Sequence, residues 1–160
     1  MILLKIIFKL NSTVIKFILK ILYGNKIKMG KSLNFRKRFD VLIDKSGKLI
    51  IGDYCFFNND CSINCLGNIR IGDNCLFGEN IKMYDHNHIF NDINKNIKDQ
   101  GYKIELIKIG KNCWIGSNVT ILSNVIIGDN VVIGANCLIY KSIPSNSIIR
   151  SQNNFILTNR

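Results

Sequence analysis

Both histidines of the chain, His86 and His88, fall within one run, Tyr84-Asp85-His86-Asn87-His88. Imidazole is the side chain whose proton affinity lies nearest neutral pH, so either ring could take a proton from an attacking group and return it to a leaving group. Asp85 could orient an imidazole or, with His86, touch an acceptor, although a carboxylate beside a loop is commonly just solvated. With one residue between them, the two rings are expected on opposite faces of an extended segment, so that only one would face a cleft. Zinc is the competing chemistry. A catalytic zinc takes three protein ligands, which His86 and His88 supply only if Asp85 or a residue of another subunit joins them, and no metal is expected.

This run leads into the largest irregular stretch, residues 89–106, which is polar and rich in Asn, Asp and Lys. It reads as a loop inserted into a rigid scaffold, a usual place for chemistry. The scaffold shows as a period of six: Ile109-Gly110, Ile115-Gly116, Ile121, Ile127-Gly128, Ile133-Gly134, Ile139. The same register runs through Ile51-Gly52, Phe57 and Ile63 and, after a two-residue slip, through Ile71-Gly72, Phe77-Gly78 and Met83. Six residues is the period of the parallel β-helix hexapeptide repeat, so the chain is expected to be mainly β, with a solenoid over residues 51–150. In each unit a large apolar side chain points inward and a glycine often follows, read as tolerance for turn geometry. The fifth position holds Cys55, Cys61, Cys75, Cys113 and Cys137 among small aliphatic residues. With no CxxC or Cys/His spacing, these cysteines read as compact buried hydrophobes rather than a disulfide or metal framework.

The formal charge of +11 is unevenly placed. Residues 1–50 carry twelve Lys and Arg against Asp40 and Asp44, whereas the remainder carries ten basic and nine acidic groups. The cationic character therefore belongs to an N-terminal arm, divided into an amphipathic helix over 1–25 and a basic connecting segment over 26–50. At 100° per residue, Lys5, Lys9, Lys16 and Lys20 fall on one stripe of an otherwise Ile, Leu and Phe helix. Such a stripe favours lying in a membrane interface over spanning, where each central lysine costs roughly 2.5–3.5 kcal/mol. The plain alternative is a helix packed on the solenoid end. No small-residue cleavage site follows the helix, which argues against a signal peptide. The basic cluster has little aromatic interleaving, so nucleic acid is not the expected partner.

The run from Cys113-Trp114-Ile115-Gly116-Ser117-Asn118 through Val125-Ile126-Ile127-Gly128-Asp129-Asn130 to Lys141-Ser142-Ile143-Pro144 resembles the hexapeptide-repeat acyltransferases. Within these it is most similar to the maltose, galactoside and capsular-polysaccharide O-acetyltransferases. The resemblance covers about residues 50–150. It implies a left-handed parallel β-helix, a homotrimer, and acetyl-CoA held as co-substrate in clefts between subunits. It further implies that His88 is the general base and that Asn58 binds the acceptor. By the same resemblance, Trp114 and Ser117 line the coenzyme cleft, the backbone at Ala135 contacts the pantetheine arm, and Lys141 lies near the nucleotide phosphates. Each also has a plainer use: Trp114 as an apolar cap, Ser117 and Ala135 as small turn residues, Lys141 as a solvated cation.

The chain departs from that pattern in two places. An acidic acceptor-binding residue expected one coil before the histidine is replaced by Leu66 or its neighbours. Beyond Pro144 the usual basic residue is missing, leaving Arg150 or Arg160 to meet the phosphates. The resulting expectation is a bacterial O-acetyltransferase acting on a glycan or lipid-linked sugar acceptor. It is placed in the cytoplasm, with possible peripheral contact at the inner membrane through residues 1–25. Amino-sugar N-acetylation, a zinc-dependent β-helix lyase and a non-catalytic trimeric scaffold are the alternatives.

Overall fold

The structure, a computed structural model, describes residues 2–151, with only the backbone of residues 2–9 and of Asn11. Ile2–Tyr23 form one helix, α1, and the chain then winds into a parallel β-solenoid of about 6 turns. Three sheets of five, six and five strands run along it, the faces of a prism, and their inward residues alternate with outward ones. The first face stacks Ile27, Leu49, Ile69, Ile107 and Val125 in register. The second face stacks Phe35, Phe57, Phe77, Ile115 and Ile133, and the third stacks Val41, Ile63, Met83 and Ile121. All of these are buried. Phe57 and Phe77 lie ring on ring at 4.2 Å, as expected where identical positions of successive coils meet.

Corresponding residues of successive coils are separated by 22, 20, 38, 18 and 16 positions. The two-residue slip is the coil of 20, and the insertion accounts for the 38. The segment 26–50, expected as a connection, forms the first coil through strands Ile27–Met29, Asn34–Phe35 and Asp40–Ile43. Met29-Gly30, Phe35 and Val41 carry the six-residue period through it, and its 22-residue length reflects four extra residues between Val41 and Ile51 that shift the register before the next coil.

The glycines do a different job from the one expected. The left-handed corners are made chiefly by asparagine: Asn74, Asn80, Asn112, Asn118, Asn124, Asn130, Asn136 and Asn146 have φ between 54° and 62°. Asparagine tolerates that region better than other residues bearing a Cβ. Their amides form ladders along the prism, Asn112 to Asn130 at 2.9 Å and Asn130 to Asn146 at 3.0 Å. The glycines instead permit close stacking. A Cβ on Gly72 would lie 2.7 Å from the carbonyl carbon of Gly110, and one on Gly110 would lie 2.6 Å from that of Gly128. The reading of the cysteines is matched by the structure, in which all six are free and buried. The Cys75 and Cys113 thiols each donate to the carbonyl of a glycine in the next coil, at 3.2 Å. Burial pushes the Cys61 thiol up to about 11.

Helix α1 caps the first coil. Leu19 is buried, the Lys16 ammonium donates to the Leu33 carbonyl at 2.9 Å, and the Tyr23 hydroxyl donates to the Val41 carbonyl at 2.8 Å. No helix among the described residues is long and apolar enough to cross a membrane. Stacking distance makes a direct prediction. Gly110→Ala should lower the unfolding free energy in urea by about 1–3 kcal/mol through overpacking, whereas Asn130→Gly, which keeps access to positive φ and gives up the ladder, should lose about 1 kcal/mol. A larger loss for the asparagine change would show that the ladders, not the glycine contacts, limit the stack.

Candidate functional site

The site grows from the third coil, at the edge where the third face turns into the first. The strand Lys82–Tyr84 ends there, and a hairpin leaves the prism: His86–His88 pairs antiparallel with Tyr102–Ile104 before Leu106–Ile109 re-enters the first face. The inserted segment 89–106 is thus partly sheet, with a 3-10 turn at Ile97–Asp99. The hairpin is fastened to the next coil through side chains. Asn87 donates to the Ser123 hydroxyl at 2.9 Å, that hydroxyl donates to Glu105 at 3.0 Å, and Glu105 pairs with Lys103 at 2.8 Å. The Lys103 and Ser123 hydrogen bonds hold the Glu105 carboxyl below the usual carboxylate range.

Asp85 is the fixed point. It is 0% exposed, and its two carboxylate oxygens accept the backbone N–H groups of Leu66 and Gly67, each at 2.8 Å. The His86 Nδ1 lies 3.2 Å from the same carboxylate. An ionised carboxylate can only accept, so this contact places a His86 proton on Nδ1. Burial of this carboxyl is tolerated because its oxygens face hydrogen-bond donors. The expectation that Asp85 touches an acceptor is corrected by this burial: Asp85 positions His86 and is shielded from any ligand.

The two imidazoles share a face. Ring centroids stand 5.2 Å and 4.5 Å from Tyr102 for His86 and His88 respectively. Residues two apart in a strand point the same way, so the expectation of opposite faces was wrong. His86 is mostly enclosed, between Tyr84 and Tyr102. His88 is exposed and lines a pocket of about 360 Å³ with Asn87, Ile89, Phe90, Asn91 and Lys103.

The other residues singled out in the sequence lie elsewhere on the prism. Asn58 closes a second-face strand, and its carboxamide oxygen accepts from Arg36 at 3.1 Å and from the Asn59 amide at 2.9 Å. Ser117 stands one coil below Ala135 at that same edge, where its hydroxyl accepts the Glu79 amide at 3.1 Å. Trp114 projects outward from the second face, 57% exposed, so it is no part of the core. Within one chain, a third-face strand separates this group from the histidines. Lys141 shares the histidine edge two coils further on, its ammonium 5.6 Å from the Tyr140 ring. Arg150 is exposed, and Arg160 lies outside the described residues with the rest of 152–160. Tyr102, Glu105 and Ser123 were not found in the sequence, because only the hairpin pairing and the coil offset bring them to the histidines. Among the described residues no three His, Cys, Asp or Glu side chains are grouped as a metal site.

Known proteins share this architecture. Residues 107–141 match the family model described as bacterial transferase hexapeptide (six repeats), and residues 68–80 match the hexapeptide repeat of succinyl-transferase. A probable acetyltransferase of Mycobacterium tuberculosis is 36% identical over 69 residues, 43% of this chain; the matched stretch spans 23% of that relative's length. A hexapeptide-repeat acetyltransferase from Vibrio cholerae superposes with a TM-score of 0.75 at 24% identity, covering 88% of this chain and 76% of that one. That protein is also known complexed with acetyl coenzyme A. A maltose O-acetyltransferase from Clostridium difficile gives 0.68 at 29% identity over 82% of this chain and 69% of its own.

The buried carboxylate yields a prediction with two readouts. Asp85→Asn should cost about 1–3 kcal/mol in thermal or urea unfolding, because one of the Leu66 and Gly67 amides then faces an NH₂ group. It should also release the His86 tautomer, seen as loss of a single Nδ1-protonated form in ¹⁵N NMR of the ring. An unchanged ring spectrum would show that Asp85 is structural only.

Proposed function

We propose, from the chain's similarity to hexapeptide-repeat transferases, that it transfers an acetyl group from acetyl-CoA to a hydroxyl of a sugar in a bacterial surface-polysaccharide precursor. The observation that carries this reading is the pair of imidazoles at the hairpin, one enclosed and tied to a buried carboxylate, the other opening on a pocket. In the proposed reaction His88 removes the proton from the acceptor hydroxyl as its oxygen attacks the thioester carbonyl. The tetrahedral intermediate then collapses, the carbon–sulfur bond breaks, and the departing thiolate takes the proton from His88. The products are the acetyl ester and free coenzyme. No bond to the protein forms, so the remaining acceleration comes from holding two substrates together and from donors to the oxyanion.

The coenzyme surface is assigned to Trp114, Ser117 and Ala135, with Lys141 toward the nucleotide phosphates. A complete site therefore needs two subunits. The histidines and the Trp114 edge are separated by a face within one chain, which favours a homotrimer whose clefts set one subunit's hairpin against its neighbour's Trp114. The placement of Asn58 at that distant edge fits acceptor binding only across such a cleft. Six unpaired buried thiols suit a reducing cytoplasm, where the coenzyme is available.

General-base assistance of this kind is worth roughly 10²–10⁴ in rate. His88→Ala should therefore lower acetyl transfer to a glycan acceptor by that factor with little change in acetyl-CoA affinity, measured by release of free thiol. His86→Ala should cost less than His88→Ala. The reverse order would move the base to His86, and full activity in both variants would remove the histidines from the chemistry.

A further inference from the structure

We propose that the N-terminal end of this protein docks on an anionic lipid bilayer, with the outer side of α1 lying in the interface and a cationic groove beside it meeting the headgroups. The side of α1 turned from the solenoid exposes Leu10, Val14, Phe17, Ile18, Ile21 and Leu22, each 45–67% accessible. No acidic residue occurs anywhere in the helix. An apolar face of this kind fits the boundary between acyl chains and headgroups. The orientation differs from the one the lysine stripe suggested, because Lys16 turns inward to the Leu33 carbonyl and the apolar residues face away from the prism.

The headgroup contact comes from the turn that follows. The chain passes from α1 through Gly24–Lys26 directly into the first face. There Lys26, Lys28, Lys48 and Arg70 line a groove of about 490 Å³ with Asn25 and Ile50. It contains four cations and no carboxylate. The register explains why they gather: Lys28, Ile50 and Arg70 are consecutive outward positions of one column, and Lys48 heads the adjacent strand. Charge complementarity thus selects an anionic surface, each basic group near it strengthening binding and salt weakening it.

Such docking would set the first-coil end of the prism against the bilayer, with the groove running up the first face to Arg70 in the third coil. The histidine hairpin belongs to the third coil, two spacings of about 4.8 Å beyond the first, so it would stand roughly 10 Å above the first coil. That height suits a reacting sugar held on a lipid carrier, a step that rests on the acetyl-transfer reading, whereas the docking itself does not.

The test is sedimentation of the full chain with vesicles of phosphatidylglycerol and phosphatidylcholine, against vesicles of phosphatidylcholine alone. Strong partition to the anionic vesicles, reduced by half-molar salt, is expected. The variant Phe17→Asp/Ile21→Asp should lose at least about tenfold in partition, and Lys26→Glu/Lys28→Glu/Lys48→Glu about a hundredfold. All five positions are at the surface, and circular dichroism and size-exclusion mass should match the parent. Equal partition to both vesicle types, or no effect of either variant, would overturn the proposal. So would a mass that falls in the Phe17→Asp/Ile21→Asp variant, because the apolar face would then be covered by a second copy of the chain. Acetyl transfer to a soluble acceptor by both variants would leave the catalytic reading untouched whatever the vesicles show.

Discussion

Backbone hydrogen bonds between successive coils are the constraint on which the rest of the molecule depends. Each coil donates to the next at 2.7–3.1 Å on all three faces, as in Gly72 to Ile109, Gly110 to Ile127, Leu76 to Cys113 and Lys82 to Val119. Parallel strands held at that spacing must place like residues over like. The core is therefore a set of columns, aliphatic or aromatic, and anything that prevents close approach is excluded from the corners. Glycine at the stacked positions and asparagine at the left-handed ones are the two answers to that demand. Thiol-to-carbonyl contacts in the Cys75 and Cys113 column add polar links inside an otherwise apolar interior.

The site exploits a place where the stack is allowed to open. Between the third and fourth coils the chain leaves the prism for the hairpin, and the first-face strands close behind it, Asn68–Ile71 against Leu106–Ile109. The rigid coils bear Asp85 and Ser123, and the hairpin bears His86, Asn87, His88 and Tyr102. The links from Asp85 to His86 and from Asn87 to Ser123 tie the hairpin to the coils. Rings on a short strand with such support are held in a fixed orientation. The same logic explains the divided character of the two imidazoles. The one nearer the prism is fixed, and the one a step further out faces the pocket.

Much of this was legible before the structure, for a physical reason: burying the first and fifth side chains of every six on a regular scaffold writes the period directly into the sequence. Ile109 to Ile139 could be placed on inward positions, the cysteines recognised as core, and the two-residue slip located. The first coil was passed over although Met29, Phe35 and Val41 keep the spacing of six, because four extra residues between Val41 and Ile51 break its register with the coils above. The corner asparagines carry no signal of hydropathy, since their meaning lies in φ. At the site, the histidine run and the insertion were apparent. The shared face, the burial of Asp85 and the partners Tyr102, Glu105 and Ser123 depend on pairings between residues far apart in sequence, which no local pattern encodes. Asn58 shows the converse: a resemblance can assign a residue to a site that a single chain does not assemble.

The central claim is that this solenoid is built to hold acetyl-CoA and act on it from the hairpin. Isothermal titration of acetyl-CoA into the full chain, with free and desulfo-coenzyme as comparisons, tests it most directly. The account predicts micromolar binding at one site per subunit, weakened when Trp114 is replaced by alanine. Absence of binding to the folded chain would contradict it.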